Sequence, residues 1–492
     1  MAPFKICYVS SEVVPFAKTG GLADVAGALP VELKDLEQDV RVMMANYKSI
    51  NERKFVLREV IRLKEVKVNL GNETKIVDGK TAFLPNSKVH VYFLHIPEYF
   101  DRKDLYVDPA TGKDYEDNAE RFAFFSMSVL ETLKLLFWQP DIIHCNEWQT
   151  ALIPFYLKTH YKDDEFFKNT RTVLSLHNLA YQGSFSLNKA AKIGIDSQFV
   201  KKDGEFEHYG SLNLLKGGIL FSDVLNTVSE KYAEEITTDP EYGAGFEKIL
   251  SQRRDDIYGI LNGVDYSNWN PETDNLIPKN YSIDSLHNKE KNKIVLCNQN
   301  NLPFDEKIPL IGIISRLADQ KGFDLIAEVV NDIFSLDIQF VLLGTGDPKY
   351  HKLFEKLAKK YPKKLAINLR FDNKLAHLIE AGSDMFLMPS KYEPCGLNQL
   401  YSLKYGTVPV VRETGGLADT IQDFDQKNST GNGFTFKNYN SQELLETIKR
   451  ALQIFPEKKL WHKIQITGMK QDYSWLQSAR KYLDLYEKAM LK

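Results

Sequence analysis

Two cations follow one apolar run of the sequence and could bind a phosphorylated ligand. Leu310–Ser315 has the composition of a buried strand; Arg316 comes directly after it, and Lys321 follows a short polar turn. Arginine offers phosphate oxygens a planar fork and lysine offers a compact charge, so the pair could neutralise a departing diphosphate without a metal. The alternative is a solvated basic pair at a strand end. Open α/β sheets bind ligands at the carboxyl ends of their strands, which favours the ligand role.

A carboxylate in a second loop is well placed to hold hydroxyl groups. Glu393 lies in the segment Tyr392–Leu397, which follows the apolar run Met385–Met388 after a short polar turn. Its carboxylate could accept hydrogen bonds from sugar hydroxyls, and the backbone near Gly396 could approach a ligand closely. The alternative is that this lone loop glutamate is a surface residue. Cys395 fits a small buried residue better than a nucleophile, because no basic neighbour in sequence would lower its pKa.

Two further strand ends carry polar groups that suit a carbohydrate. His177 and Asn178 follow one of them, ahead of Tyr181, and Glu147 with Trp148 follows the other. Imidazole, amide and carboxylate groups bind hydroxyls, and an aromatic face packs against the C–H groups of a sugar. The alternative for His177 is a structural histidine whose hydrogen bonds are satisfied inside the protein.

One hexapeptide occurs twice. Thr19–Asp24 reads Thr-Gly-Gly-Leu-Ala-Asp, and Thr414–Asp419 repeats it. Each copy follows an apolar stretch and precedes a plausible helix. A glycine pair there lets the backbone turn sharply and approach a ligand, while the helix N-terminus offers N–H groups and a partial positive charge. Two such ends could grip one diphosphate; the alternative is that both are ordinary strand-to-helix turns.

Three other patterns point elsewhere, and each is weak. Gly344–Gly346 begins like a dinucleotide-binding motif, but Lys349 stands where the third glycine belongs, so a nicotinamide-dependent oxidoreductase is a remote alternative. Asp423 and Asp425 could form a two-carboxylate metal site, although two acids in a polar loop are more often solvated. The sequence contains neither a P-loop nor a Ser-His-Asp signature.

Short β-branched runs alternate with longer segments of helical period, which predicts βαβ units, parallel sheets and therefore an α/β fold. These runs are Ile6–Val9, Asp141–His144, Thr172–Ser175, Leu310–Ser315, Gln339–Leu343 and Met385–Met388. From about Asn262 to Asn301, a high density of Pro, Gly and Asn predicts turns and loops, with a domain boundary at the start of this segment. Ser474–Lys492 predicts an amphipathic helix. Its expected apolar contacts are Trp475, Leu476, Tyr482, Leu483, Leu485 and Tyr486.

The composition is that of an ordinary soluble globular protein. The chain has 492 residues and a formal charge of −3, which excludes a polyanion binder that depends on bulk charge. Hydrophobic residues make up 43% and charged residues 26%, as in a chain of two or three globular domains. The four cysteines have the spacing of neither a disulfide framework nor a zinc site. Without a visible leader peptide or an apolar run near the roughly 20 residues of a spanning helix, the sequence predicts a cytoplasmic protein that binds no membrane.

Six motifs that follow one another between about Lys5 and Tyr486 resemble the bacterial glycogen synthase and plant starch synthase family. They are Lys18–Val25; His177-Asn178 with Tyr181-Gln182-Gly183; Asn262–Asp265; Ser315–Leu317 with Gln320–Gly322; Glu393–Leu397; and Thr414–Leu417. Each motif alone is weak, but the combination and its order are specific and span nearly the whole chain.

The resemblance implies a fold and an activity. It implies two Rossmann-like domains facing each other across a deep cleft, the GT-B arrangement, in residues 1–260 and 261–473, with a C-terminal helix in 474–492 that crosses back to the first domain. It also implies transfer of glucose from ADP-glucose to the non-reducing end of a linear α-1,4-glucan such as glycogen or maltooligosaccharides. The expected transfer retains the anomeric configuration and needs neither a metal nor another cofactor. Nucleic acid is not an expected partner, and the oligomeric state stays open.

The resemblance also assigns residues to roles. It assigns catalysis to Glu393, Arg316, Lys321, His177 and Lys18. It assigns donor binding to Lys18, Gly20, Gly21, Asn262, Arg316, Lys321, Phe371, Glu393, Cys395, Gly396, Leu397, Thr414 and Gly415. It assigns sugar or acceptor contacts to Asp24, Tyr115, Asn118, Glu147, Asn178 and Tyr181.

The sequence departs from the family's commoner pattern at three positions. Glu147 and Gln149 replace an aspartate and a histidine around Trp148, and the extra methylene of the glutamate shifts its carboxylate by roughly an angstrom. Phe371 stands where some members stack a tyrosine on the adenine, and a phenyl ring keeps that stacking. The alternatives that stay open are UDP-glucose as the donor, a different acceptor, or a catalytically silent homologue that binds glucan.

Overall fold

The apolar runs rich in β-branched residues form strands at the predicted positions in a computed structural model of the chain, which describes residues 3–492. The strands are β1 Lys5–Val9, β2 Asp39–Ala45, β3 Arg58–Glu59, β4 Val66–Leu70, β5 Glu73–Phe83, β6 His90–His95, β7 Val107–Asp108, β8 Lys113–Asp114, β9 Ile142–Asn146, β10 Arg171–Leu176, β11 Ser184–Phe185, β12 Glu207–His208, β13 Ser211–Asn213, β14 Val224–Thr227, β15 Ile257–Gly259, β16 Leu310–Ile314, β17 Gln339–Leu343, β18 Leu365–Asn368, β19 Met385–Met388, β20 Val408–Arg412 and β21 Phe434–Phe436.

Helices separate most of these strands, as the alternating pattern predicts. The α-helices are α1 Gly21–Asp35, α2 Pro97–Phe100, α3 Asn118–Leu135, α4 Leu152–Lys158, α5 Leu214–Phe221, α6 Glu230–Thr238, α7 Pro240–Gly243, α8 Glu247–Gln252, α9 Lys289–Gln299, α10 Phe323–Glu328, α11 Val330–Ser335, α12 Pro348–Lys360, α13 Asn373–Gly382, α14 Asn398–Lys404, α15 Gly415–Thr420, α16 Ser441–Ile454, α17 Lys458–Met469 and α18 Trp475–Met490. Short 3-10 helices occupy Ile61–Leu63, Trp148–Thr150, Leu187–Ile193, Ser197–Phe199, Arg254–Asp256, Ile283–Asn288 and Asp319–Lys321.

The chain forms two units. The first contains the residues up to Val228, then Ala233–Ile260 and Trp475–Lys492, and the second contains Ser229–Tyr232 and Leu261–Ser474. The first sheet has the order β15-β14-β10-β9-β1-β2-β6-β5-β3; its strands from β15 to β6 are parallel, and β5 pairs antiparallel with β6. The second sheet has the order β18-β17-β16-β19-β20-β21 and is parallel throughout. Both sheets are Rossmann-like, which confirms the predicted fold class.

Helix α18 belongs to the first unit, which confirms the predicted return of the C-terminal helix. The hydroxyl of Tyr482 donates to Oδ1 of Asn226 at 3.0 Å, and the hydroxyl of Tyr486 lies 2.8 Å from Nδ1 of His144. Trp475 and Leu485 are also buried. Of the predicted apolar contacts, Leu476 and Leu483 are only half-buried.

The prediction of a wholly irregular segment from Asn262 to Asn301 is wrong at its end, where α9 forms. Leu296 and Cys297 of this helix are fully buried in an apolar cluster that includes Leu310 and Ile379. The ammonium of Lys293 donates to the carbonyl oxygen of Ile308 at 2.7 Å, so this polar side chain of the helix has its partner inside the fold. Lysine, glutamate and leucine favour a helix, and burial of one face stabilises it, which together outweigh the asparagines that predicted a loop.

No helix within residues 3–492 is both long enough and apolar enough to cross a membrane.

Candidate active site

A pocket opens at the carboxyl edge of the second sheet, where β16 and β19 lie side by side. It has a volume of about 220 Å³, and its lining includes Arg316, Lys321, Glu393, Gly396 and Leu397. Arg316 follows β16, Lys321 ends the 3-10 turn after it, and the other three follow β19. Neighbouring parallel strands end at the same edge, which is why residues more than seventy positions apart in the chain meet here.

Glu393 and Lys321 form an ion pair in this pocket. Nζ of Lys321 donates to Oε2 of Glu393 at 2.6 Å, and the hydroxyl of Ser390 donates to the same oxygen at 3.1 Å. Glu393 is only 7% exposed, so it is not the surface glutamate of the alternative interpretation. The exposed guanidinium of Arg316 makes one long contact, 3.3 Å to Oε1 of Gln320. One cation is therefore held in place, and the other can reach a ligand.

The second glycine motif supports this loop from behind. Gly415 has φ +44°, and the N–H of Gly416 donates to the carbonyl oxygen of Glu393 at 3.1 Å. A Cβ added at Gly416 would lie 1.8 Å from the carbonyl oxygen of Cys395, and one at Gly415 would lie 2.1 Å from that of Glu393. Only glycine permits such contact. These two glycines are therefore required by packing inside the second unit.

The pattern that resembles part of a dinucleotide-binding motif holds the loop of Arg316. The N–H of Leu317 donates to the carbonyl oxygen of Thr345 at 3.0 Å. A Cβ added at Gly344, where φ is +155°, would lie 1.8 Å from the carbonyl oxygen of Ser315. This close backbone approach explains the glycine without any nucleotide. Sequence reasoning missed the role because it depends on pairing between β16 and β17.

The other donor-side candidates lie at different depths of the second unit. The thiol of Cys395 accepts a hydrogen bond from the backbone of Asn262, and burial raises its pKa to about 12, as expected of an unreactive buried cysteine. Oδ1 of Asn262 is buried with no hydrogen-bond partner among residues 3–492. Thr414 is buried. Phe371 is 90% exposed beyond β18, at the same sheet edge as Arg316 but outside the pocket lining.

The paired acids of the possible metal site have other partners. Asp423 forms two hydrogen bonds of 2.8 Å with the guanidinium of Arg450. Asp425 accepts hydrogen bonds from the backbone N–H groups of Lys427 and Asn428, which closes a turn. Both acids therefore have structural roles in the second unit.

Glu12 holds the first glycine motif in the first unit, and sequence reasoning missed it. Its carboxylate accepts hydrogen bonds from the N–H of Thr19, the hydroxyl of Thr19 at 2.6 Å and the N–H of Gly20 at 3.1 Å. The hydroxyl of Tyr106 adds a fourth at 2.8 Å. The N–H groups of Thr19 and Gly20, which precede α1, are therefore occupied inside the protein. The local pattern did not show it, because the acceptor is a side chain outside the motif.

The two glycine motifs differ in what surrounds them. A Cβ added at Gly20 or Gly21 would meet no atom of residues 3–492 within 4 Å, and Gly20 has an extended backbone, with φ −145°, that any residue can adopt. Neither packing nor backbone geometry therefore requires glycine in the first copy. Open space over the start of α1 leaves room for a ligand, beside the ion pair of Lys18 and Asp24 at 2.7 Å.

Two adjacent residues at the end of β9 hold His177. Nε2 of His177 lies 3.0 Å from Oδ1 of Asn146, and Oε1 of Glu147 accepts hydrogen bonds from the N–H groups of His177 at 2.6 Å and Asn178 at 2.9 Å. Burial lowers the pKa of His177 to about 4, so the ring is neutral near pH 7. The ring and the backbone of this residue are therefore held separately.

Glu147 has an unusual backbone. Its φ is +61° and its ψ is −178°, a region that non-glycine residues rarely occupy and that costs about 1–3 kcal/mol. Successive side chains of a regular strand point to opposite faces, and this conformation breaks that alternation directly after Asn146. Burial raises the pKa of the Glu147 carboxyl to about 8, against the opposing effect of the two N–H donors. Strain and a buried carboxyl occur together beside His177.

The remaining acceptor-side candidates of the first unit differ in access. Tyr181 is largely exposed, and Oδ1 of Asn178 accepts from the N–H of Ala180, which closes the turn before it. Both polar atoms of the Asn118 side chain have hydrogen-bond partners inside the protein: Oδ1 accepts from the guanidinium of Arg121 at 2.6 Å, and Nδ2 donates to the carbonyl oxygen of Tyr106 at 3.0 Å. Asn118 therefore supports the protein from within. The half-buried ring of Tyr115 is stacked by two guanidinium groups, those of Arg102 and Arg121.

Comparison with known proteins gives matches along nearly the whole chain. The starch synthase catalytic domain matches residues 5–252, and the glycosyl transferases group 1 domain matches residues 298–464. The chain is 47% identical to glycogen synthases of Thermosipho melanesiensis, over 489 residues, and Thermosipho africanus, over 495, each time covering 99% of both proteins. The catalytic domain of starch synthase IV from Arabidopsis thaliana, solved with ADP and acarbose, is similar over 100% of both chains, with a TM-score of 0.86 and 31% identity.

Proposed function

Because this chain belongs to the glycogen and starch synthase family of glucosyltransferases, we propose that it transfers glucose from ADP-glucose to the non-reducing end of an α-1,4-glucan, with retention of configuration. The observation that carries the proposal is the pocket of the second unit, where Arg316, Lys321 and Glu393 converge. A diphosphate needs cations and a sugar needs hydrogen-bond acceptors, and this pocket supplies both. The relative from Arabidopsis thaliana was solved with ADP, which is compatible with a nucleotide site of this kind.

The two cations act on the leaving group. Negative charge grows on the diphosphate as its bond to the sugar breaks, so cations that are already in place stabilise the transition state more than the bound substrate. Glu393 keeps the ammonium of Lys321 in position at 2.6 Å, and Arg316 adds a fork of donors from the neighbouring strand end. Charge neutralisation by these side chains is the reason for proposing a reaction without a metal.

The first unit supplies groups for the glucan and for the donor. His177 and Asn178 follow β10, and the ion pair of Lys18 and Asp24 lies at the start of α1. Exclusion of water would protect the donor from hydrolysis during transfer. For retention we propose a front-face displacement, in which the departing phosphate helps to remove the proton of the acceptor hydroxyl.

Label transfer to glycogen tests the proposal. Purified protein is incubated with ADP-[14C]glucose or UDP-[14C]glucose, with a chelator and without added metal, and the anomeric protons of the elongated product are examined by ¹H NMR. We expect transfer from ADP-glucose into α-linkages, and its loss in Glu393→Ala. The control is Glu446→Ala, which removes an exposed carboxylate paired with Lys449 in α16 and should leave the rate unchanged.

Three results would contradict parts of the proposal. Transfer from UDP-glucose alone would move the donor preference and keep the reaction. A β-linked product would overturn retention. Binding of glycogen with no transfer from either donor would identify a silent homologue.

A further inference from the structure

The side chain of Asn146 has a single possible orientation. It is fully buried at the end of β9, where Nδ2 lies 3.0 Å from the carbonyl oxygen of Val9. Oδ1 lies 3.1 Å from the hydroxyl of Tyr8 and 3.0 Å from Nε2 of His177. A backbone carbonyl can only accept, so the amide nitrogen must face Val9 and the amide oxygen must face the histidine.

This orientation determines where His177 carries its proton. An amide oxygen is an acceptor only, so Nε2 has to be the donor in the 3.0 Å hydrogen bond. A neutral imidazole carries one N–H, and the other nitrogen then has a lone pair. Burial keeps this ring neutral, so Nδ1, the nitrogen without the proton, is a hydrogen-bond acceptor.

We propose that Asn146 is a positioning residue that fixes the Nε2–H tautomer of His177, so that this histidine serves sugar transfer by accepting a hydroxyl at Nδ1. The inference rests on the proposed function for the nature of the ligand, because hydroxyl groups are what a sugar offers. Phosphate oxygens are hydrogen-bond acceptors, and Nδ1 is an acceptor too, so the two cannot form a hydrogen bond with each other. The structure thereby assigns His177 to the sugar and leaves the phosphates to cations.

The main chain and the ring of His177 are held by different residues. Glu147 holds the main chain of His177 through the N–H groups of residues 177 and 178, whereas Asn146 holds the ring nitrogen. Loss of the Asn146 amide should therefore free the ring while the loop stays in place. A purely structural role for Asn146 would lower stability and leave the tautomer unchanged.

¹⁵N NMR of histidine-labelled protein tests the tautomer directly. The signals of His177 are identified as those missing from His177→Gln. We expect a protonated Nε2 and an unprotonated Nδ1 in the parent protein at pH 7. A protonated Nδ1 would overturn the proposal, and this readout needs no variant of Asn146 to fold and no turnover.

Variants of Asn146 test its part. In Asn146→Leu we expect mixed tautomers and a kcat at least 10-fold lower, with a donor KM within about threefold, whereas Asn146→Asp keeps an acceptor and should keep the Nε2–H tautomer. The matched control is Asn226→Leu, which removes another buried amide of the same sheet, bonded to Ser175 and Tyr482, and should leave the spectrum of His177 unchanged.

An unaltered tautomer in folded Asn146→Leu would overturn the role of Asn146. The failure of the proposed function would be seen separately, as absence of sugar transfer by a parent protein whose His177 still has the Nε2–H form.

Discussion

Lys321 and Glu393 are two single residues that hold each other in position. The ammonium of Lys321 lies 2.6 Å from a carboxylate that is 7% exposed, so the pair is held before any ligand binds. A cation that is already positioned needs no reorganisation when charge develops on a leaving group. The same lysine in solvent would contribute much less, because water screens exposed charges.

Replacing Lys321 by alanine should lower kcat by about 100-fold, the scale of losing one preorganised donor to a developing anion. The donor KM should change by only a few-fold, since the interaction strengthens as the bond breaks. Steady-state kinetics with ADP-glucose measures both. The matched control is Lys349→Ala, which removes a surface lysine from an ion pair of the same length with Asp319. A raised KM with an unchanged kcat would assign Lys321 to ground-state binding.

Glu147 should make the stability of the protein depend on pH. Burial raises the pKa of this carboxyl from its ordinary value of 4.5, which the unfolded chain keeps, to about 8 in the folded protein. Between these values the unfolded chain loses the proton and the folded chain keeps it, so this residue's contribution to stability falls as pH rises. The slope is at most about 1.4 kcal/mol per pH unit.

Glu147→Gln removes this titration. Thermal unfolding of both proteins is measured between pH 5 and 9. As pH rises, the melting temperature of the variant should increase relative to that of the parent, and the change in this difference should level off above about pH 8. A difference that is constant over this range would mean that the carboxyl does not titrate in the window.

The two copies of the glycine motif have different surroundings, because different secondary-structure elements pack around them. Both start a helix, α1 at Gly21 and α15 at Gly415. In the second copy the backbone packs against the loop of Glu393, whereas in the first copy the space above Gly21 is open. A short motif specifies a strand-to-helix turn, and the elements packed around it decide its use.

Matched alanine substitutions should separate the two copies. Gly416→Ala places a Cβ 1.8 Å from a carbonyl oxygen, so we expect a loss of stability of about 1–3 kcal/mol from overpacking. At Gly21 the added Cβ meets no atom of residues 3–492 within 4 Å, and for Gly21→Ala we expect an unchanged or slightly higher melting temperature together with weaker donor binding. Calorimetry and titration with ADP give both quantities. Equal effects at the two positions would refute the distinction.

In the molecule as a whole, the C-terminal helix packs the end of the chain onto the first unit. Trp475, Tyr482, Leu485 and Tyr486 of α18 are buried there. Two tyrosine hydroxyls of this helix reach buried polar groups, Nδ1 of His144 and Oδ1 of Asn226. Burial lowers the pKa of His144 to about 3, so this histidine is neutral and depends on hydrogen bonds for its solvation.

Tyr486→Phe should lower the free energy of unfolding by about 1–3 kcal/mol, because it leaves a buried ring nitrogen without its partner. Chemical denaturation measures the change. Tyr482→Phe is a useful comparison, since Asn226 keeps a second donor in Ser175 at 2.7 Å and should lose less. An equal effect of the two changes would show that the hydroxyls matter through packing alone.

The sequence by itself determined six of the strands, the parallel sheets, the return of the C-terminal helix and the family, because hydrophobic periodicity and motif order are properties of the chain. The six predicted strands and the amphipathic tail are confirmed within one or two residues at their ends. The assigned roles of the site residues stay predictions. The loop predicted for Lys289–Gln299 is a helix, since burial of one face against distant residues is invisible in local composition.

Only the tertiary structure decided how the site residues are held. Glu12, which accepts hydrogen bonds from the first glycine turn, and Gly344, which packs against Ser315, lie outside the motifs that predicted the site. Asn146 directly precedes Glu147 in the sequence, but its hydrogen bond with His177, at the end of the neighbouring strand, is made only in the fold. Their partners are chosen by which strands are neighbours in a sheet and by which donors are left without an acceptor after packing. A buried polar group must find a partner wherever the fold brings one, and this requirement is satisfied across the sheet and not along the chain.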